Sequence, residues 1–460
     1  MNSINKCKEY LFGKVDLGDD DIGRLLINIA IPSILAVFVN NLYQVIDSIF
    51  IGRIIGELAI GAVAIVIPFI GVIMTFTMLV ATGGANILSR SLGEKNIERA
   101  KACYGNSLTI IVSISIIISI ISIIFLEPIL GILGAKGEIL LLGKEYFSIF
   151  LIGIPFMATA FIFGQLLRSE GKSKESMIIL VIGSLTNIIL DYIFMIIFKW
   201  GIQGAALATT IANFLSFIYG IIKMLKGSSI LEIKWKYFKL DFKLVREMFS
   251  IGVSSFISQI VSNLGLLVAN KVMINVGGIE LMPAIGLFGM IQNLVFMPVS
   301  GVTQAMQPIL GYNYGDKRID KVLKAIKLTL KYVFFIVLFT SMMAMVFTRE
   351  IAWLFLEGDA SILEYAVPNI RIALLFAAIG ALQWVGGTAF RAIGMANKAY
   401  LFSLLRMVII FIPCISILGN LLGPIGCWLS YAFADLLSGI ISRRYLIKSI
   451  KKLDVSNIIV

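Results

Sequence analysis

The chain has 460 residues, of which 59% are hydrophobic and 14% charged, and its mean hydropathy is +0.96. Too few polar residues are present to cover a water-soluble surface of this size, so the protein belongs in a lipid bilayer. The net charge of +12 does not indicate nucleic-acid binding, because the basic residues recur in loops between apolar segments, as topology requires.

About twelve apolar segments follow one another, each long enough to cross the hydrocarbon region as a helix. We therefore predict an all-α integral membrane protein with 12 transmembrane helices. The spans are expected near residues 25–50, 58–88, 100–126, 139–167, 175–198, 202–224, 244–272, 280–310, 324–347, 362–390, 398–419 and 423–446.

The second half of the chain repeats the first at a constant offset. Leu88–Lys95 recurs as Leu310–Lys317, and Gly201–Gly204 recurs as Gly423–Gly426. A repeat this long indicates two domain-sized halves, as in transporters that move one bundle against another. We predict an N-terminal lobe of six helices at 1–224, a cytoplasmic linker at 225–243 and a C-terminal lobe of six helices at 244–460.

Lysine and arginine are distributed unevenly between alternate loops. Six of the 39 basic residues fall in one set of loops, and nearly all the others fall in the opposite set or at the termini. Because cytoplasmic loops retain basic residues, we predict a multi-pass protein of the cell membrane with both termini in the cytoplasm. The basic linker segment 234–239 is expected to contact anionic lipid headgroups rather than RNA or DNA.

Residue types that are missing or unpaired argue against several kinds of functional site. The four cysteines have no paired spacing and histidine is absent, which argues against disulfides, thiolate metal sites and histidine proton shuttles. No phosphate-binding glycine loop, nucleophile elbow or metalloprotease helix is present. We predict no enzymatic activity and no cofactor, and we keep a membrane enzyme or receptor scaffold as the alternative of a different class.

Two carboxylates, Asp47 and Asp191, lie inside apolar segments of the first half. Buried charges in a membrane are costly, so they are functional candidates by default. Helical spacing puts Tyr43 on the face of Asp47 and Asn187 on that of Asp191, and the helical rise brings Thr209 to a similar depth. Their oxygens suit a small cation or a shared proton; the alternative is that these groups only bond neighbouring helices.

Three other features of the apolar segments have weaker implications. Pro32 removes a backbone hydrogen bond in the same segment as Asp47, so it either forms a bend that responds to that carboxylate or a static kink. The second half carries one intramembrane carboxylate, Asp435, which aligns with Asn213 and for which we favour a structural role. The cations inside or beside these segments are expected to snorkel or pair locally: Lys271, Arg371 and Arg406.

Five sequence features occur together in this chain: Pro32 and the stretches Tyr43–Gly52, Asn187–Asp191, Gly204–Thr209 and Gln307–Gly315. In this combination they resemble the multidrug and toxic compound extrusion (MATE) family, closest to its MepA- and DinF-like bacterial branches. The resemblance runs from about residue 20 to 448. It implies a twelve-helix, two-lobe fold that exports varied, often cationic organic compounds by alternating access in exchange for inward H⁺ or Na⁺.

The resemblance also implies individual roles. Asp47 is the central proton- or sodium-binding carboxylate, Asn187, Asp191 and Thr209 are its partners, Tyr43 is a neighbour and Pro32 is the bending point. If the ion is Na⁺, the implied ligands are Asp47, Asn187, Asp191 and Thr209. The NorM branch has acidic residues where this chain has Ser262 and Gly380, so a cation site in the second lobe is in doubt.

Substrate is expected to bind in a cavity between the lobes, where flexible thioethers suit guests of several shapes. The expected partners are small organic compounds and membrane lipids, with the protein a monomer. The alternative function is export or flipping of a lipid-linked or amphipathic metabolite. The candidate substrate contacts are Gln259, Asn263, Met290, Asn293, Met297, Gln304, Met306 and Gln383.

Overall fold

A computed structural model describes residues 15–225, 234–355 and 360–456, and the regular secondary structure of these residues is entirely helical. Short 3₁₀ turns lie at Trp235–Phe238 and Ile279–Leu281. The α-helices are α1 Ile22–Phe50, α2 Glu57–Gly93, α3 Ile97–Ile124, α4 Leu126–Ile132, α5 Gly137–Ser169, α6 Ser173–Asp191, α7 Gly201–Leu225, α8 Phe242–Gly277, α9 Met282–Gly315, α10 Ile319–Val346, α11 Thr348–Phe355, α12 Ala360–Leu374, α13 Ala377–Ala392, α14 Ala396–Leu404, α15 Ile412–Leu422 and α16 Pro424–Ser456.

The number of membrane-spanning helices agrees with the sequence prediction. Ten helices of the described residues are long and apolar enough to cross a bilayer, and an eleventh span results if α12 and α13 are joined across their 50° bend. With the 28-residue α10, the count reaches the predicted twelve. The prediction of an all-α membrane protein is therefore confirmed.

Helix boundaries reproduce the repeat that the sequence motifs indicate. Helix α10 begins and ends as many residues after α3 as the second copy of each motif follows the first. The last residues of α2 and α9, Gly93 and Gly315, are separated by the same number of residues. Just after these glycines, Lys95 and Lys317 both adopt a left-handed conformation with φ of 59°. The two halves therefore share their local turn geometry as well as their pattern of apolar residues.

The internal contacts divide the chain into two compact units. The first contains residues 1–17 and 31–252, and the second contains 18–30 and 253–460. Helices α1 and α8 each contribute residues to both units, since the divisions fall between residues 30 and 31 and between 252 and 253. The lobe boundaries suggested by the sequence stay a prediction.

In the second unit, ion pairs and a hydrogen bond attach the segment before α1 to residues at the start of α10. Lys321 pairs with Asp20 at 2.6 Å and also donates a hydrogen bond to the carbonyl oxygen of Gly18, while Arg318 lies 3.7 Å from Asp20. The hydrogen bond from Lys321 lowers the pKa of Asp20 below its ordinary value. This carboxylate therefore stays charged to a lower pH than an unpaired aspartate would.

The linker segment Trp235–Phe238 packs against α3 within the first unit. Asn106 donates to the carbonyl oxygens of Tyr237 and Lys239 at 3.1 Å, and Thr109 donates to that of Phe238 at 2.9 Å. A Cβ atom at Gly105 would lie 2.3 Å from the Tyr237 carbonyl oxygen. Glycine is therefore required here because the linker backbone contacts the helix directly.

Replacing Gly105 by valine should displace the linker from α3 and destabilise the first unit. Overpacking of this kind costs about 1–3 kcal/mol, which we expect to appear as a lower Tm in detergent and faster proteolysis within 234–241. Gly131→Val is the matched control, because nothing lies within 4 Å of a Cβ atom built there. Equal Tm values for the two variants would contradict the close contact between linker and helix.

Three π turns, in which backbone hydrogen bonds reach one residue farther than in an α-helix, occur along the described helices. They are Ile51–Ile55 after α1, Tyr192–Ile197 after α6 and Leu405–Phe411 after α14. Such turns are rare and occur frequently at functional sites. Here the first begins about one helical turn after Asp47, and the second directly follows Asp191.

Candidate functional site

The two carboxylates of the first unit meet between α1 and α6. The carboxyl groups of Asp47 and Asp191 are within hydrogen-bonding range of each other. Asp191 is completely buried, and Asp47 is partly buried. A hydrogen bond between two carboxyl groups needs a proton on one of them, so this contact is suited to holding a proton.

Several oxygens around this pair are buried and receive no hydrogen bond from the described residues. They are Oδ1 of Asp47, Oδ1 of Asn187 and both carboxyl oxygens of Asp191. The Asn187 amide nitrogen donates to Thr209 Oγ1 at 3.1 Å, which leaves its oxygen available. Buried acceptors without donors cost free energy, and a proton or a small cation would satisfy them.

Two tyrosines surround the carboxylates. Tyr43, one helical turn before Asp47, and Tyr146 on α5 each interact electrostatically with both acids. The Tyr146 ring stacks on Phe150 with centroids 5.9 Å apart. Tyr146 was not among the residues predicted from the sequence; it directly follows Lys144 and Glu145 near the start of the predicted span 139–167, so its position did not mark it as a neighbour of the carboxylates.

The predicted site residues of the first unit thus lie together, with one exception. Tyr43, Asp47, Asn187, Asp191 and Thr209 form one cluster on α1, α6 and α7. Pro32 is buried and lies earlier on α1, well before Tyr43 and Asp47 and close to the division between the units. Its role as a bending point stays a prediction.

The intramembrane carboxylate of the second unit is paired. Arg406 Nε donates to Asp435 Oδ1 at 2.7 Å, and the Asp435 side chain is 2% exposed. A Cβ atom at Gly380 would lie 2.4 Å from that same oxygen. The position that holds an acid in the NorM branch therefore has no room for a side chain here.

The other predicted positions of the second unit have simpler surroundings. Arg371 Nε donates to the Met345 carbonyl oxygen at 2.8 Å, Ser262 donates to that of Ser258 at 2.8 Å, and Lys271 is exposed. These contacts are local, as expected for side chains at the ends or edges of spans. No group of three or more acids, cysteines or histidines arranged to hold a metal ion occurs in the described part of the chain.

The candidate substrate residues differ in accessibility. Met306 is fully buried, and Gln383 donates its amide to the Phe402 carbonyl oxygen at 2.6 Å, so these two side chains contribute to packing. The six others are at least partly accessible within the second unit, and their role stays a prediction: Gln259, Asn263, Met290, Asn293, Met297 and Gln304.

Comparison with known proteins decides the family. The MatE family model matches residues 32–193 and 254–416. The chain belongs to the MATE family of multidrug efflux transporters. The two matched stretches begin at equivalent positions of the internal repeat, so each MATE repeat corresponds to one half of this chain, and the first contains both Asp47 and Asp191.

Curated and solved relatives agree with the MATE assignment. The multidrug export protein MepA of Staphylococcus aureus (strain bovine RF122 / ET3-1) is 26% identical over 445 residues, covering 95% of this chain and 96% of the relative. A Pyrococcus furiosus MOP superfamily transporter, described as having a binding pocket of reverse polarity that suggests a different function, has a TM-score of 0.91 at 22% identity. Another structure, described as the outward-facing conformation of a multidrug resistance MATE transporter, has a TM-score of 0.90 at 23% identity.

Both solved structures cover 96% of this chain and are themselves covered to 99%. At these identities the likeness concerns the fold. The MATE fold therefore extends over nearly the entire chain, and the carboxylate cluster lies inside its first repeat.

Proposed function

We propose that this protein exports varied organic compounds across the cell membrane in exchange for an inward-moving cation, and that the cation bound at Asp47 and Asp191 is a proton. The observation that carries the proposal is the contact between the two carboxyl groups, because Oδ1 of Asp47 and both carboxyl oxygens of Asp191 are buried and receive no hydrogen bond from the described residues. Family membership and the likeness to a multidrug export protein support the transport direction.

The coupling follows from the energetics of this cluster. Two ionised carboxylates in contact repel strongly in an environment of low dielectric constant. A proton shared by Asp47 and Asp191 removes one charge and supplies the missing hydrogen bond. A conformation that brings the carboxyl groups together therefore binds a proton more tightly than one that separates them, and this difference in affinity shifts the conformational equilibrium.

Na⁺ is the second candidate ion, favoured by the free Oδ1 of Asn187 beside the carboxylates. Together with Thr209 Oγ1 and the oxygens of Asp47 and Asp191, it offers the hard oxygen ligands that small cations bind. The same cluster serves either ion, since each supplies positive charge to the same buried acceptors.

Alternating access is proposed to use α1 as the moving connection. Its residues up to Ala30 belong to the second unit and those from Ile31 to the first, and Pro32 is the second residue after this division. A proline at this point removes one backbone hydrogen bond and makes bending easier. A relative of this fold is described in an outward-facing conformation, which is one of the two states that such a cycle needs.

Transport by purified protein in liposomes tests the proposal. Liposomes with equal concentrations of a fluorescent organic cation inside and outside are given a pH gradient or a sodium gradient separately, and net movement of the cation to one side is recorded. Antiport with protons predicts uphill transport with the pH gradient alone. Uphill transport with sodium alone would replace the proton by Na⁺, and none with either gradient would overturn cation antiport.

A further inference from the structure

A groove of about 610 Å³ opens between α10, α13 and α16 of the second unit. The described residues of its wall combine four cations with apolar side chains and include no acid. The cations are Lys327, Lys331, Arg443 and Arg444, and the apolar residues are Leu330, Phe334, Ile379, Leu382, Ile440 and Ile447.

The four cations are exposed and form no ion pair with a carboxylate of the described residues. At the start of α10, Lys321 pairs with Asp20, and Arg318, the residue before the helix, pairs with Asp20 and Asp320. Acidic partners thus exist at this end of α10, but they do not reach the groove. Four like charges facing one groove favour an anionic occupant.

The repeat shows what covers the corresponding helix face in the first unit. Lys327 and Lys331 are the repeat equivalents of Gly105 and Thr109, and both of these contact the linker segment Trp235–Phe238. In the second unit, cations stand in place of the glycine and the threonine. Among the described residues, none covers this groove as the linker covers α3; the repeat equivalents of Trp235–Phe238 are residues 457–460, which lie outside the described part of the chain.

The apolar wall continues from the cations toward the middle of the helices. Leu330 and Leu382 are each 6% exposed, whereas Ile440 is 38% exposed. A small soluble anion would contact the cations and leave the apolar wall in water. A phosphate group attached to a hydrocarbon chain would contact both surfaces.

We propose that this groove is a binding site for an anionic phospholipid of the surrounding bilayer. The phosphodiester lies among Lys327, Lys331, Arg443 and Arg444, and an acyl chain lies along Leu330, Phe334, Leu382 and Ile440. Each basic residue near a membrane surface contributes about 1 kcal/mol of attraction to anionic lipid, so two of them account for a roughly 30-fold change in affinity.

Lipid binding to the purified full-length protein tests the site. Native mass spectrometry in detergent would count bound phosphatidylglycerol and phosphatidylcholine at low ionic strength. We expect preferential retention of phosphatidylglycerol, and a roughly 30-fold weaker affinity for it in the double variant Lys331→Gln, Arg443→Gln. Added salt should weaken the binding to the unaltered protein.

Two further variants separate the groove from general surface charge. Lys448→Gln with Lys451→Gln removes two exposed cations of α16 that do not line the groove, and it should keep the preference. Ile440→Trp fills the groove without changing its charge and should weaken lipid retention.

Equal losses in the groove variant and its control would overturn the proposal, as would unchanged retention in both Ile440→Trp and the charge variant. Inorganic phosphate that displaces the lipid as effectively as soluble diacyl phosphatidylglycerol would show a site for a free anion instead. Tm values of all variants would identify any loss that comes from unfolding.

Discussion

We expect Asp47→Asn and Asp191→Asn each to abolish most gradient-driven transport while leaving the protein folded. Either amide can donate a hydrogen bond to the remaining carboxyl group, as the protonated acid would, but it cannot release the proton. Coupling free energies between sites are commonly about 1–3 kcal/mol, equivalent to roughly 5- to 150-fold. The uphill transport rate in liposomes should therefore decrease by a factor in this range or by a larger one.

Asp320→Asn is the matched control, since this carboxylate is exposed and pairs with Arg318 at the surface. It should transport at the rate of the unaltered protein. Full uphill transport by Asp47→Asn at every imposed gradient would remove this residue from coupling. The same result for Asp191→Asn alone would reduce the coupling site to a single carboxylate.

Breaking the ion pair between Arg406 and Asp435 should destabilise the second unit strongly. Removing one member of a buried pair leaves an uncompensated charge, at a cost of about 3–5 kcal/mol. Arg406→Gln and Asp435→Asn should therefore both unfold at clearly lower temperature in detergent. The double variant Arg406→Met, Asp435→Leu should lose much less stability than the two single changes added together, because no charge is left buried.

Arg371→Gln supplies the comparison, because that arginine is exposed and bonds only a backbone carbonyl in the described structure. Its Tm should change little. A Tm for Asp435→Asn as high as that of Arg371→Gln would mean that breaking the pair leaves no uncompensated charge. Additive losses in the double variant would mean that the two residues act independently.

The fold was largely predictable from the sequence because a bilayer imposes simple rules. Segment length and hydropathy indicated the spans, and the long internal repeat indicated the two halves. The break between α12 and α13 was not foreseen: the sequence predicts one span at 362–390, whereas the structure bends there by 50°. The proline of this region, Pro368, lies inside α12, so no local signal marks the bend.

The site was predictable only in part. Asp47 and Asp191 stand out because charge is rare in apolar segments, and helical spacing adds their neighbours on the same helices. Tyr146 and the pairing of Arg406 with Asp435 depend on how helices distant in sequence pack together. Spacing along a single helix carries no information about such contacts.

The π turns beside Asp47 and Asp191 have a mechanical consequence. A π turn holds one residue more than the α turn it replaces, and conversion between the two rotates the following residues by about 100° and shifts them by about 1.5 Å. Such a register change exchanges the partners of a few backbone hydrogen bonds and leaves the rest of each helix intact. If a cation binds at the acids as proposed, a register change in Ile51–Ile55 or Tyr192–Ile197 would rotate the end of the helix about its axis. This displacement is small enough to occur within a packed bundle.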